Sequence, residues 1–152
     1  MKIKIICLGK SKQKFIEDGI KEYQKRISKY AKIELNILPD IALTKTNTIE
    51  IVKNKEAEIL EKHLIKDDFI IVLDEKGKQF TSLEFSKYIS KINKNIIFMV
   101  GGVYGISEKI LKKTNLILSF SNFTFTHQMI RLILMEQLYR AFSISEGKKY
   151  HY

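Results

Sequence analysis

Little in this sequence can staple or kink the chain. Cys7 is the single cysteine, so an internal disulfide and a cysteine-based metal cluster are both excluded. Pro39 is the single proline, and tryptophan is absent. Histidine occurs only at 63, 127 and 151, without the spacing of a metal site. No window approaches the ~18 apolar residues of a membrane span, so no membrane partner is expected. The opening run Met1–Leu8 is too short for a signal peptide. A reducing, cytoplasmic compartment is the expectation. Arginine is scarce as well, at three of 27 basic residues.

What remains is an ordinary globular composition. The 152 residues are 45% hydrophobic and 29% charged. That length predicts one domain spanning 1–152, large enough to bury a full core. The net charge is +10. It is spread as +6 over residues 1–38, −2 over 39–68, +2 over 69–100 and +4 over 101–152. A polyanion partner such as RNA is one reading, and a merely Lys-rich composition is the other. Arg131 and Arg140 are more informative, because both fall in one C-terminal segment. Arginine offers phosphate a planar fork that lysine cannot copy.

Strands are predicted where apolar residues run together or alternate with period two. Lys2–Leu8 stops at Gly9 and Lys32–Leu38 stops at Pro39. Asp68–Leu73, Asn95–Val100 and Leu116–Ser119 follow. Helical spacing fills the gaps. The first helix is read over 11–30, with Ser11 as cap and Phe15, Gly19, Tyr23, Ile27 and Tyr30 inward. Thr48 caps a second, which carries Val52, Glu56, Ile59, Leu60 and His63. Asp74–Lys78 reads as a turn. Thr81 and Glu84 have capping-box spacing and open a third helix, with Phe85, Tyr88 or Ile89, and Ile92 inward. A short helix fits 107–114, and the last runs from about His127 to Ser145, before Gly147. The expected fold class is α/β, a mostly parallel sheet with helices on both faces.

Ligands of such sheets bind beyond the carboxyl ends of the strands, here the loops after Leu73, Val100 and Ser119. Gly101-Gly102-Val103-Tyr104-Gly105 follows one strand. It is either a tight turn or a place where backbone approaches a ligand. It matches neither a dinucleotide fingerprint nor a phosphate loop. Phe120-Ser121-Asn122-Phe123-Thr124-Phe125 alternates aromatic with hydroxyl or amide groups. That suits an adenine, which needs edge hydrogen bonds and an apolar slot. A solvated edge strand explains it equally well. The last helix is apolar on nearly every side, which implies burial and favours a homodimer through it. Glu136 and Arg140 are placed to pair at i, i+4, whereas Arg131 has no carboxylate at i+4 and points to a ligand. His127 opens that helix, where a neutral imidazole is expected. It is also read simply as a first-turn polar residue. Tyr150-His151-Tyr152 is either a frayed tail or a set of groups for stacking on bases.

Several stretches together resemble one family. They are Lys2–Gly9, Tyr23-Gln24-Lys25-Arg26, Leu73-Asp74 with Gly77-Lys78, and Val100-Gly101-Gly102 with Gly105. Leu118-Ser119 follows, with Ser121, Thr124-Phe125, His127 and Arg131, then Glu136-Gln137-Leu138-Tyr139-Arg140-Ala141 and Tyr150-His151. The chain is similar over its whole length to the ribosomal RNA large subunit methyltransferase H family of the SPOUT superfamily. The resemblance implies a C-terminal trefoil knot, which the pattern of elements would not suggest. It implies a homodimer that methylates N3 of a pseudouridine in 23S large-subunit ribosomal RNA, within assembled ribosomes. The implied donor is S-adenosylmethionine. Carried over by position, Leu73, Gly101, Gly102, Gly105 and Phe120–Phe125 form the cofactor pocket, Ser121, Asn122, Phe123 and Thr124 included. His127, Arg131, Arg140, Tyr150 and His151 are the substrate-side candidates.

Three departures from the family stand out. Thr126 replaces the usual proline, Val103-Tyr104 replaces smaller or more polar residues, and no basic residue follows Tyr152. For the chemistry, His151 is the first candidate to take the N3 proton and His127 the second. Arg131 or Arg140 would stabilise charge on the flanking carbonyl oxygens. Two other readings stay open. One is a non-catalytic ribosome-binding or assembly factor with a vestigial pocket. The other is a different nucleotide-cofactor enzyme, against which the lack of an acidic ribose ligand after Gly105 argues.

Overall fold

A computed structural model describes residues 1–152. Its elements run β1 Lys2–Leu8, α1 Lys14–Ile27, β2 Lys32–Leu38, α2 Ile49–Glu61, β3 Phe69–Gln79 and α3 Ser82–Ser90. β4 Ile96–Val100, α4 Glu108–Leu111, β5 Leu116–Ser119 and α5 Met129–Ser145 complete them. One sheet has the order β2-β1-β4-β3-β5, and every neighbouring pair is parallel. The expected mostly parallel sheet is therefore wholly parallel.

The apolar strands explain the layering. Successive side chains of a strand point to opposite faces. On β1, Ile3, Ile5 and Cys7 join one buried cluster with Ile16 and Ile20 of α1, Phe85 and Ile89 of α3, and Leu134 and Leu138 of α5. Ile6 and Leu8 join the other, with Ala57 and Leu60 of α2, Met99 of β4, and Ile110 of α4. All five residues of β4 are buried. Each such Ile or Phe contributes about 1.5–3 kcal/mol by leaving water, so the central strands anchor both layers.

Side-chain caps fix the starts of α2 and α3. Thr48 Oγ1 accepts from the Ile51 amide, and Thr81 and Glu84 form the full capping box. At α5, the replacement at position 126 keeps a capping group, since Thr126 Oγ1 accepts from the Met129 amide at 3.1 Å. α5 packs hard on α1. A Cβ on Gly19 would lie 2.7 Å from Leu132 Cδ1.

The structure corrects four local readings. α1 starts at Lys14, not at 11, and Ser11 is not its cap; the Ser11 hydroxyl instead donates to Gln128 Oε1 at 3.3 Å. The buried stripe of α1 is Ile16, Ile20 and Ile27, and Phe15 is 59% exposed. Burial of Ile16 turns its neighbour outward, because i and i+1 do not share a helix face. Asp74–Lys78 is not a turn that ends the strand. β3 continues to Gln79, and both Leu73 and Lys78 pair with Leu118, so residues 74–77 bulge between them. Gly77 permits this, because a Cβ there would meet the Ile117 carbonyl at 2.6 Å.

Candidate active site

β1 and β4 are neighbours, yet the chain leaves β1 toward β2 on one side and leaves β4 toward β5 on the other. Ligands of open parallel sheets collect at such a reversal, beyond the carboxyl ends of the strands. A cavity of about 1260 Å³ opens at that end. Its walls are Leu73–Lys76 after the regular part of β3, Gly101–Ile106 after β4, and the chain from β5 into α5. Gln13, Phe15 and Lys53 also line it.

The glycine stretch forms a compact turn. The Gly105 amide donates to the Gly102 carbonyl at 3.2 Å, and Gly105 has φ +80°. That conformation suits glycine because it has no Cβ to clash. A Cβ on Gly101 would come within 2.8 Å of Ile106 Cγ1, so a side chain is not accommodated at this cavity-lining position.

The loop after β5 is held by its own hydroxyls. Ser119 Oγ donates to the Ser121 carbonyl, and Ser121 Oγ accepts from the Phe123 amide. Thr124 Oγ1 donates to Glu75 Oε2 at 2.6 Å and ties this loop to the β3 bulge. Phe120 packs edge-on against Phe85, while Phe123 is 79% exposed at the mouth. The result is a slot with apolar and aromatic walls.

Most of the expected cofactor residues meet here. Leu73, Gly101, Gly102, Gly105, Phe120, Ser121, Phe123, Thr124 and Phe125 all line the cavity. Asn122 does not, because its Oδ1 accepts from Gln79 Nε2 at 2.7 Å. Of the substrate-side candidates only His127 reaches the cavity. Burial first, and then the charge of Arg131, lowers its pKa below the ordinary value, against an opposing pull from Asp40. Burial and Arg131 both favour the neutral imidazole.

Arg131 lies beneath, 1% exposed, with Nη2 donating to the Leu8 carbonyl at 2.7 Å. Its Nε and Nη1 have no partner. In this arrangement it ties α5 to the end of β1 and does not face the cavity. The same buried setting lifts the Cys7 thiol to about 11, which makes that thiol inert.

Arg140, Tyr150 and His151 form a second group. Glu136 Oε1 accepts from Arg140 Nε at 3.0 Å and from the Tyr150 hydroxyl at 3.2 Å. Arg140 Nη1 lies 3.3 Å from His151 Nδ1, and its guanidinium stacks 4.8 Å from the centre of the Tyr150 ring. Tyr150 also packs edge-on against Tyr139. The residues 148–152 are thus folded onto α5. Burial is the main cause that raises the Tyr150 pKa, with the Tyr23 hydrogen bond and Glu136 adding to it. At ~1.5 Å per residue, Glu136 and Arg140 stand roughly 10–17 Å along α5 from its cavity end. None of the three lines the cavity of its own chain.

The sequence reading did not single out Glu56 as functional. It is 3% exposed, its Oε2 has no partner, and burial with help from Asp40 pushes it up to about 7. Its helical spacing with Val52 and Leu60 had marked only an inward position. A charged residue on an otherwise apolar face was the available signal. No cluster of His, Cys, Asp and Glu is arranged to hold a metal ion. No helix is long and apolar enough to cross a membrane.

Residues 1–151 match the family described as "Predicted SPOUT methyltransferase". A protein named ribosomal RNA large subunit methyltransferase H from Christiangramia forsetii is 44% identical over 156 residues, covering 100% of this chain and 99% of its own length. Its namesake from Halothermothrix orenii is 46% identical, with 99% of each covered. Among solved structures, a probable methylase family protein from Haemophilus influenzae Rd KW20 superposes with a TM-score of 0.59 at 13% identity. That likeness covers 99% of this chain and 70% of the other and concerns the fold alone.

Proposed function

The chain belongs to the SPOUT methyltransferase family, and on that footing we propose that it methylates N3 of a pseudouridine in 23S large-subunit ribosomal RNA. The donor is S-adenosylmethionine, the substrate is the assembled ribosome, and the setting is the cytoplasm. Residues 1–152 form a single domain of this kind, with the family's trefoil knot in its C-terminal part. The observation that carries the reading is the backbone-lined, aromatic-walled cavity at the strand ends, in a chain 44% identical to a protein of that name.

The residues present fit the donor. The slot between Leu73 and Phe120–Phe125 offers main-chain groups and apolar walls of the kind an adenine needs. Gly101 lets backbone approach closely. The volume of 1260 Å³ exceeds the ~300–1,000 Å³ of ordinary small-molecule sites, which leaves room for an incoming base. When bound, the donor supplies a methyl group already activated on a sulfonium.

The protein's own task is alignment, exclusion of water and removal of one proton. N3 of a pseudouridine is a weak acid that attacks only as its proton leaves. Neutral His127, facing the cavity, is one acceptor. His151 is the other, at the end of a tail held by Arg140, Glu136 and Tyr150. General-base help of this kind is worth about 10²–10⁴-fold. Arg140 stabilises charge on the flanking oxygens, and Arg131 positions the first turn of α5.

The tail lies along α5 away from its own cavity, so we read the active unit as a homodimer through α5. Met129, Ile133, Gln137, Arg140 and Ile144 fall on one partly exposed stripe, three or four residues apart. Met129, Ile133 and Ile144 belong to neither apolar cluster. A second copy on that stripe would bury them. The diffuse +10 charge supplies salt-sensitive attraction to RNA. Mass mapping of ribosomal RNA from cells lacking the protein tests the reading, which expects loss of one methyl at a large-subunit pseudouridine. Unchanged methylation together with no S-adenosylmethionine binding would instead indicate a non-catalytic assembly factor.

A further inference from the structure

In a chain with ten more positive than negative charges, Glu56 has no counter-charge. Glu34, Glu61 and Glu136 are all less buried, yet each has a basic partner within 4 Å. The large buried cation, Arg131, is on α5, which packs on the opposite face of the sheet from α2. The two form no ion pair, and each keeps unpartnered polar atoms. Burying a carboxylate without a partner is costly.

Glu56 is not loosely placed either. A Cβ built on Gly102 would lie 3.0 Å from Glu56 Oε2 and 3.4 Å from Oε1. Gly102 does not have a positive φ, so its backbone would accept a side chain. A side chain there would press on the Glu56 carboxylate, which would have to give by a few tenths of an ångström. Gly102 lines the cavity on its other side. Asp40 adds a second carboxyl nearby, 3.3 Å from where a Gly9 Cβ would stand. Asp40 is close enough to add to the upward shift of Glu56 and to oppose the downward shift of His127, so the two carboxyls stand together near the glycine turn.

We propose that the Glu56 carboxylate is the charge complement of the donor's aminoacyl-sulfonium half, set behind Gly102 so that the glycine turn alone separates it from the bound cation. The proposal rests on the methyl-donor reading above. The aromatic slot takes the uncharged adenine, which leaves the cationic half of the molecule to extend toward the glycine turn. At an effective dielectric of about 20, a unit charge roughly 12 Å away changes affinity about tenfold, which sets the lower end of the expected effect. Glu56 is a positioning residue here, since it acts through Gly102.

Calorimetric titration of the full-length protein with two probes tests this. S-adenosylmethionine carries the cationic half, whereas 5′-methylthioadenosine is neutral and lacks the amino-acid portion. Glu56→Gln should weaken S-adenosylmethionine about tenfold and leave methylthioadenosine within twofold. Glu56→Asp, which keeps the charge in a shorter side chain, should retain most of the preference for the cation. Equal loss for both probes in Glu56→Gln would reduce the residue to a packing role and overturn the proposal. Unchanged affinity for both would overturn it too. Wild-type protein that binds neither probe would refute the methyl-donor reading itself, and the proposal with it.

Discussion

Glu56→Gln should make the ligand-free protein more stable in base but not in acid. Unfolded, the carboxyl titrates near 4.5, while in the fold it is pushed up to about 7. Below 4.5 both states hold the proton, and ionisation costs the fold nothing. Between those values the native state binds more protons than the unfolded one, so stability falls as pH rises. Above about 7 both states are ionised and the cost is complete, about 3 kcal/mol at most. Glutamine keeps the shape and the Gly102 contact but cannot ionise. The stability difference between variant and wild type should therefore grow by about 2–3 kcal/mol from pH 4.5 to pH 8.5. At this chain length that corresponds to roughly 5–10 °C in Tm. Titration of His127 and the surface groups is common to both proteins and cancels. Urea unfolding followed by circular dichroism, at one fixed protomer concentration, measures the difference. A gap that stays constant across this range would show that Glu56 is ionised without penalty in the fold, and would refute the reasoning.

Other outcomes are equally direct. Removing Tyr150–Tyr152 should abolish methylation of ribosomes while leaving S-adenosylmethionine affinity within about twofold, since none of these residues lines the cavity; normal turnover would rule out a catalytic tail. Ile133→Glu puts a charge on the partly exposed stripe of α5 and should yield monomers by light scattering, with activity lost and the fold retained by circular dichroism. Gly77→Ala forces a Cβ to 2.6 Å from the Ile117 carbonyl, where backbone cannot yield. It should cost about 1–3 kcal/mol in denaturant unfolding and weaken S-adenosylmethionine in the calorimetric titration.

Much of the fold was legible because its cues are local. Apolar runs such as Ile96–Val100 have only one comfortable home, a strand covered on both faces. Thr48 and Thr81 announce helix starts through hydrogen bonds made within one turn. What escaped was decided by distant partners. Phe15 and Ile16 are both apolar, and only the packing of α1 against the sheet chooses between them. Asp74–Lys78 has turn composition, yet β5 pairs on both sides of it. Most of the slot was readable because the glycine turn and the Phe120–Phe125 loop are contiguous stretches. Arg131 was not, since its tie is to a carbonyl 123 positions away. Glu56 was hidden for a similar reason. Its meaning lies in the missing Cβ of Gly102, and no window of sequence holds both residues.

That tie between Arg131 and Leu8 also sets an order of events. β1 is an interior strand and α5 follows it in the chain with eight elements between them. Until α5 docks, Ile3 and Ile5 lack part of their apolar cover, and the Leu8 carbonyl lacks its Arg131 donor. The cavity also lacks the wall from His127 to Ile130. Closure across such a separation is slow and comes late. A nascent chain would therefore hold an open sheet and no working site, and would gain both in one step when the final helix arrives. The enzyme would become competent to methylate RNA only once α5 has docked.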